Sequence, residues 1–467
     1  MSNYKLLIDG KMVDGDATLD VVNPATEEVF ATCARASKKQ LDQAVDAATA
    51  ALPAWCKSSI ADRQKALVAI ADAVKAETAE LARLLVQEQG KPLQDATNEI
   101  FAAQAFFRYF AGINLEPKVL QDDGKARIEV RRKALGVVGC IIPWNFPIVL
   151  MAFKVPAALL AGNTLIVKPA PTTPLTTLKI GEIIKDLVPP GVVNIIADDN
   201  DLGSEMTNHP GIRKISFTGS TETGKKVMAG AASALKRISL ELGGNDALIV
   251  LDDVDPKAMA PKIYDAAMQN AGQVCIAAKR IYVHESIYDA MCDELVRIAG
   301  EAVVGDGLEQ GVQMGPVQNK QQFEKVLGFI ESAKKDGKII AGGGRQGDKG
   351  YFIQPTIVRD IADGAKLVDE EQFGPVMPLI KYTDASEAIA RANSSIYGLG
   401  GSVWATDAER AWSVAEQIES GSVWINKHGD LQPHVPFGGA KLSGVGAELG
   451  EEGLNEFTQI QVLNMAK

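Results

Sequence analysis

The sequence predicts an α/β protein built on parallel sheets, and three observations carry that expectation. Apolar runs short enough for buried strands, such as residues 137–142 and 247–251, alternate with segments of helical period. The strand–helix–strand units have the length that puts helices on both faces of a parallel sheet. At 467 residues the chain is long for a single core, so two or three domains are expected.

The elements follow in order. Residues 5–33 alternate apolar and polar around Asp9-Gly10 and Asp14-Gly15, as short strands joined by hairpin turns do. From Lys38 to about Gly112 the period is helical, with one break at Gly90-Lys91-Pro92. Strands are then expected at 137–142, 164–167, 192–196 and 214–217, and helices at 147–160, 176–187 and 221–232. After Gly244 a second set begins, with a strand at 247–251, a helix near 257–269, a strand at 279–283 and a helix at 286–300. A glycine-rich turn at 342–350 precedes strands at 376–382, 401–405 and 422–426. The tail, 459–464, alternates like a strand; an unpaired strand exposes an edge, so a partner, such as another subunit, is expected for it.

Composition narrows the function. The chain is 46% apolar and 23% charged, with net charge −11, which offers no basic surface for nucleic acid. Five cysteines (Cys33, Cys56, Cys140, Cys275, Cys292), odd in number and without a CxxC pair, argue against a disulfide framework or a metal site. The first residues, Met1-Ser2-Asn3-Tyr4-Lys5, lack a secretory apolar region. The most apolar stretch, 136–167, is interrupted by Pro143, Pro147, Lys154 and Pro156 and does not read as a membrane span. A cytoplasmic protein without metal, nucleic-acid or membrane partner is the expectation.

Five motifs carry chemistry. Asn270-Ala271-Gly272-Gln273-Val274-Cys275 lies thirty-four residues after the carboxylate of Leu240-Glu241-Leu242-Gly243-Gly244. A thiol and a carboxylate in glycine-marked loops can serve as nucleophile and general base. The thiolate is favoured by a helix N-terminus or a positive group, and the base by an apolar setting that raises its pKa. Taken alone, Cys275 reads equally as a small buried hydrophobe. Pro143-Trp144-Asn145-Phe146-Pro147 ends a buried strand and offers an amide to a developing oxyanion, or is simply a turn. Phe217-Thr218-Gly219-Ser220-Thr221-Glu222-Thr223-Gly224 leaves a strand for a helix, where backbone amides hold phosphate, although it lacks the GxGxxG pattern. Glu370-Glu371-Gln372-Phe373-Gly374-Pro375 puts an acid and an aromatic in one turn. No histidine accompanies the cysteine motif, which disfavours a thiol hydrolase.

Together with Val167-Lys168-Pro169-Ala170 and Pro436-Phe437-Gly438-Gly439, in this order and spacing, these motifs resemble the aldehyde dehydrogenase superfamily over nearly the whole chain. The resemblance implies an aldehyde dehydrogenase-like fold in three parts. They are a Rossmann-type parallel-sheet cofactor domain (1–112 and 135–243), an α/β catalytic domain (244–435) and a small β oligomerisation element (113–134 and 436–467). It implies an NAD(P)-dependent enzyme that oxidises an aldehyde to its acid, assembled as a homodimer or homotetramer. Cys275, Glu241, Asn145 and Lys168 are its implied catalytic set: nucleophile, base for water, oxyanion donor and, for Lys168, holder of the cofactor ribose. Cofactor contacts would come from Ile142, Trp144, Phe217, Gly219, Ser220 and Gly224, and from Leu242, Glu371 and Phe373. The tunnel positions are Phe146, Leu150, Phe153, Val274, Ile276, Leu431 and Phe437, all apolar, which suits aromatic or medium aliphatic aldehydes. Retention of Glu241 favours water over coenzyme A as the acyl acceptor.

Three positions depart from the family pattern. Pro171 stands where relatives often carry the glutamate that favours NAD. Ala197-Asp198-Asp199-Asn200-Asp201 replaces a glycine-rich loop, and its acids would either repel the 2′-phosphate of NADP or form a solvated turn; NAD is therefore expected, with NADP the alternative. Ala447 replaces a common arginine. Gln269 stands where semialdehyde-binding relatives often place arginine, so a semialdehyde dehydrogenase is the second reading and a non-catalytic binding relative the third.

Overall fold

In the computed structural model, which describes residues 3–467, the amino-terminal alternation becomes short strands, as its turn residues require. Asp9 and Gly10 both take positive φ (53° and 70°), the mirror-image turn that matches strand twist, and they join Leu6–Ile8 to Lys11–Val13 as an antiparallel hairpin. The helical stretch to Gly112 is four helices, Lys38–Trp55, Ile60–Ala76, Thr78–Gln89 and Leu93–Ala111, so it breaks more often than its composition announces. Ser37 opens the first with a capping box to Gln40, and Gly90 (φ 101°) closes the third in a conformation disfavoured for side chains with a Cβ.

Two large sheets organise the rest. The first has eight strands, and its central five are parallel, in the order Arg237–Glu241, Ile212–Thr218, Val137–Ile141, Thr164–Lys168, Val193–Ile195. Helices such as Pro147–Leu160 and Thr221–Ala232 connect them at the expected positions. The helix expected at 176–187 spans Leu175–Ile184. All five residues of Val137–Ile141 are buried, which is why the run is apolar throughout rather than alternating. Each fully buried Val, Leu or Ile in such a strand contributes roughly 1.5–3 kcal/mol.

The second sheet has seven strands, in the order Lys338–Ala341, Thr356–Arg359, Val376–Tyr382, Ala278–His284, Asp246–Val250, Gly400–Trp404, Ser422–Ile425. Only its first pair is antiparallel. The link between the sheets is short: Glu241 ends a strand of one and Asp246 begins a strand of the other.

The tail differs from expectation in one respect. Thr458–Ala466 pairs antiparallel with Ala126–Ala134 of the same chain along its full length, in a three-stranded sheet with Lys118–Asp122. Ile460, Val462, Leu463 and Met465 of this strand are nevertheless exposed. Just before it, Gly444–Val445 joins the first sheet as an edge strand against Leu240 and Glu241, a contribution the sequence did not announce because two residues carry no periodicity. Among the described residues no helix is long and apolar enough to cross a membrane.

Candidate active site

Parallel register gathers the motifs. Ile141 lies opposite both Lys168 and Phe217, and Thr218 lies opposite Glu241. The segments that follow these strands therefore leave the sheet at one edge, the carboxyl edge where α/β sheets bind ligands. The cysteine loop faces them from the second sheet. It is a 3-10 turn, Gln269–Gly272, in which Asn270, Ala271 and Gly272 all have positive φ (51°, 54°, 68°). For a non-glycine residue that conformation costs about 1–2 kcal/mol, so neighbouring contacts must impose it. At Gly272 any Cβ would sit 2.2 Å from the Gly374 carbonyl oxygen, and at Gly244 a Cβ would sit 2.2 Å from the Cys275 carbonyl oxygen. The glycine after the base thus admits the loop of the nucleophile.

A cavity of about 170 Å³ is lined by Trp144, Asn145, Gly219, Ser220, Leu242, Cys275, Glu371 and Phe373. Eight residues from all five motifs meet there. Pro143, Thr218, Gly243, Gln322 and Lys325 complete the lining; the last two lie in or near no motif and left no signal in the sequence. The Asn145 side-chain amide donates one N–H to the Gln273 carbonyl (3.0 Å), and an amide has a second to give. The Cys275 thiol is half-buried, and its pKa is pushed up by burial and then by the charges of Asp246, Glu241 and Glu371. The expected lowering by a helix N-terminus or a positive group is not seen: a turn, not a helix, follows Cys275, and its ionisable neighbours are acids.

Glu241 is 4% exposed, and neither carboxylate oxygen has a hydrogen-bond partner among the described residues. Burial raises its pKa well above the usual carboxylate range; the Glu448 charge adds to this and Lys154 opposes it. Lys154 is itself wholly buried, paired with Glu448 and bonded to the Thr218 hydroxyl (2.7 Å). A lysine inside an apolar helix was the sequence signal for this group, and Glu448 beside Ala447 is its counterion.

Glu371 accepts the Gly244 N–H (3.0 Å), and burial raises its pKa. Phe373 (φ 51°) meets Trp144 edge to face at 5.4 Å between ring centres. Ser220 caps the twelve-residue helix Thr221–Ala232. Gly224 packs so closely on Leu242 that a Cβ would meet it at 2.4 Å, and Gly219 lies as tightly on the Phe217 ring (2.5 Å). Ile142 is buried beside the strand ends and donates its N–H to the Lys168 carbonyl. Two aromatic rings, a carboxylate and an accessible helix N-terminus around one cavity are groups able to hold parts of a dinucleotide.

Lys168 is buried, with its ammonium on Asp198 (2.5 Å). The other Asp198 oxygen accepts the Leu202 N–H, while Asp199 and Asp201 pair with Arg35. The acid run is split: Asp198 is buried against the lysine, whereas Asp199 and Asp201 stay exposed to solvent. Of the seven tunnel positions, Leu150, Phe153, Ile276 and Phe437 belong to one apolar cluster, and Phe146, Val274 and Leu431 pack against it, as Cys275 does; none of the seven lines the cavity. Phe106, which the motifs did not indicate, packs against Phe153 with the rings tilted by 55° and their centres 4.7 Å apart. His428 bonds the Ile276 carbonyl and Ser402 and is pushed down to about 4 by burial, so its place is structural. Asp430 pairs with Lys427 at the surface.

The aldehyde dehydrogenase family model matches residues 12–463. A mitochondrial aldehyde dehydrogenase of Leishmania tarentolae is 41% identical, the match covering 99% of this chain and 95% of the relative. A phenylacetaldehyde dehydrogenase of Pseudomonas fluorescens is 38% identical, with 99% and 96% covered. An aldehyde dehydrogenase of Bacillus cereus, solved as its NAD+ complex, superposes with a TM-score of 0.97 at 37% identity, covering 100% of this chain and 97% of that one.

Proposed function

The chain belongs to the aldehyde dehydrogenase family and is an NAD(P)-dependent enzyme, and on that premise we propose that Cys275, Asn145 and Glu241 carry its chemistry. The observation that supports this most is the single cavity into which Cys275 and Asn145 both open, with Glu241 buried beside its wall. The Cys275 thiol gives up its proton to water, and the sulfur adds to the aldehyde carbon, forming a C–S bond while the C=O π pair moves onto oxygen as negative charge. The free N–H of Asn145 stabilises that charge. NAD+, when bound, takes the hydride, which leaves a thioester on Cys275. Glu241 then draws a proton from water, the oxygen adds to the thioester carbon, and the C–S bond breaks to release the acid. Burial first, and then the neighbouring acids, hold Cys275 as a thiol, and the positively charged nicotinamide ring of bound NAD+ would favour the thiolate.

The proposed cofactor contacts are Lys168 to the ribose, Glu371 to the nicotinamide ribose, Phe373 and Trp144 at the ring, and Ser220 with its helix at the pyrophosphate; Ile142, Phe217, Gly219, Gly224 and Leu242 complete the site. The corresponding division is a cofactor domain (1–112, 135–243), a catalytic domain (244–435) and an oligomerisation element (113–134, 436–467). The exposed apolar residues of the tail strand support a homodimer or homotetramer; a monomeric mass by light scattering would remove that part. Free thiols throughout suit the cytoplasm.

The apolar tunnel positions support aromatic or medium aliphatic aldehydes, and a relative named for phenylacetaldehyde is consistent with that. NAD is the proposed cofactor because a 2′-phosphate approaching Lys168 meets the Asp198 carboxylate. The test is reduced-nicotinamide absorbance with benzaldehyde, hexanal and succinate semialdehyde, each with NAD and NADP. Apolar aldehydes with NAD are expected to win. Asp198→Ala should raise the NADP-to-NAD ratio of kcat/KM by about tenfold or more, the effect of removing a nearby like charge. Preference for succinate semialdehyde removes the tunnel argument, and an unchanged ratio removes Asp198 as the discriminator.

A further inference from the structure

The turn between helices Thr78–Gln89 and Leu93–Ala111 holds a lysine, Lys91, that is 1% exposed. Its ammonium lies on the Glu99 carboxylate (2.5 Å), donates to the Asn145 backbone carbonyl (2.9 Å) and sits 3.6 Å from the centre of the Phe146 ring. Glu99, also buried, accepts the N–H groups of Ile148 and Val149 (2.9 and 3.2 Å), at the start of the helix that follows Asn145. A second donor reaches the same Asn145 carbonyl: the Asn270 side-chain amide, at 3.1 Å. Asn270 is tied back to the turn, because its side-chain oxygen accepts from Gln89 (3.1 Å), whose own oxygen accepts the Lys91 N–H (3.0 Å).

This network grips the Asn145 segment at its carbonyl, at the next ring and at the next helix. It also connects that segment to Asn270 in the cysteine loop. The Asn145 side chain has already given one N–H to Gln273, so the direction of the remaining one follows from the plane of the amide and hence from the backbone that carries it. We propose that Lys91, with Glu99 and Asn270, is a positioning residue that aims the free Asn145 N–H at the oxyanion formed on Cys275. The inference rests on the role proposed above for Asn145. A buried ammonium and carboxylate compensate each other here, and the pair acts on the reaction only through the geometry of Asn145.

The test uses Lys91→Met/Glu99→Gln, which leaves no unpaired buried charge and keeps an oxygen for the Ile148 and Val149 N–H groups. Asn270→Asp serves as an independent second variant; it suits the left-handed backbone and keeps the bond from Gln89 but loses the donor to Asn145. Three rates are measured: first-turnover aldehyde oxidation, cofactor-free hydrolysis of an activated ester, and alkylation of Cys275 by iodoacetamide. NAD binding is followed by quenching of tryptophan fluorescence. Oxidation and ester hydrolysis both form an oxyanion and are expected to fall about 10- to 100-fold in kcat, as misaimed groups do, with KM moving less than about threefold. Alkylation displaces iodide without an oxyanion and, compared at equal thiolate fraction so that the charge added by Asn270→Asp drops out, should be unchanged, as should NAD binding. A parallel fall in alkylation would show general damage to the loop and overturn the proposal, and so would unchanged oxidation in both variants. If the double variant does not fold, Asn270→Asp decides alone, and full activity in it overturns the proposal. Asn145→Ala is measured beside them: if it keeps full oxidation, the role of Asn145 fails and this inference with it; if it loses oxidation while the others do not, only the inference about Lys91 fails.

Discussion

Cys275→Ala is expected to lose aldehyde oxidation by a factor on the order of 10⁴–10⁶, the range seen when a covalent nucleophile is removed. The methyl group makes no bond to the aldehyde carbon, so no intermediate forms. NAD binding should change little, because Cys275 is one of many residues lining the cavity and the other proposed cofactor contacts stay in place. Titration of tryptophan fluorescence with NAD checks this, since Trp144 stands in that lining against Phe373. Turnover near the parent rate would take the nucleophile's role away from Cys275.

Glu241→Gln carries the second largest expectation. The amide cannot take a proton from water, so deacylation should slow by about 10²- to 10⁴-fold, the usual worth of a positioned general base. The thioester should accumulate and be visible as an acyl mass on the Cys275 peptide. Two pH limbs separate this from simple damage. The raised pKa of Glu241 means that wild-type deacylation grows with pH and flattens only above that pKa, because the deprotonated form is the active one. That limb should vanish in the Gln variant. The Glu241 charge also helps to hold the Cys275 pKa up, so its removal should shift the acylation limb to lower pH. An unmodified Cys275 peptide during slow turnover, or a surviving deacylation limb, would count against the assignment.

The ease of reading this chain differed from part to part for physical reasons. The helices Pro147–Leu160 and Thr221–Ala232 and the strand Val376–Tyr382 occur at the expected residues, because a proline at the first turn, a serine cap and a continuous apolar run are local signals. The four-helix division of 38–112 was less legible: between the first and second helices lies Cys56-Lys57-Ser58-Ser59, without glycine or proline. Gly444–Val445 was invisible because its strand character comes wholly from its neighbour, Leu240–Glu241.

At the site, the motif residues could be named because each stands in or beside a turn whose glycines or prolines mark it. Gln322 and Lys325 could not, since they are ordinary polar residues on the helix Lys320–Asp336 that only folding brings to the cavity. Lys154 was noted as an interruption of an apolar run, but its partners Glu448 and Thr218 lie hundreds and tens of residues away. The charge run at 197–201 shows the same limit. Its composition allowed a solvated turn, and that holds for Asp199 and Asp201, while Lys168 draws Asp198 into the interior.

The sequence by itself determined the α/β class, the family and the residue types able to do the chemistry, because periodicity, turn residues and motif order are written along the chain. Only the tertiary structure decided their protonation and aim. The raised pKa values of Glu241 and Cys275, the pairing of Lys168 with Asp198, and the grip of Lys91 on Asn145 depend on burial and on partners distant in sequence. Desolvation and through-space charge are properties of packed neighbours, and residue order alone does not specify which neighbours those will be.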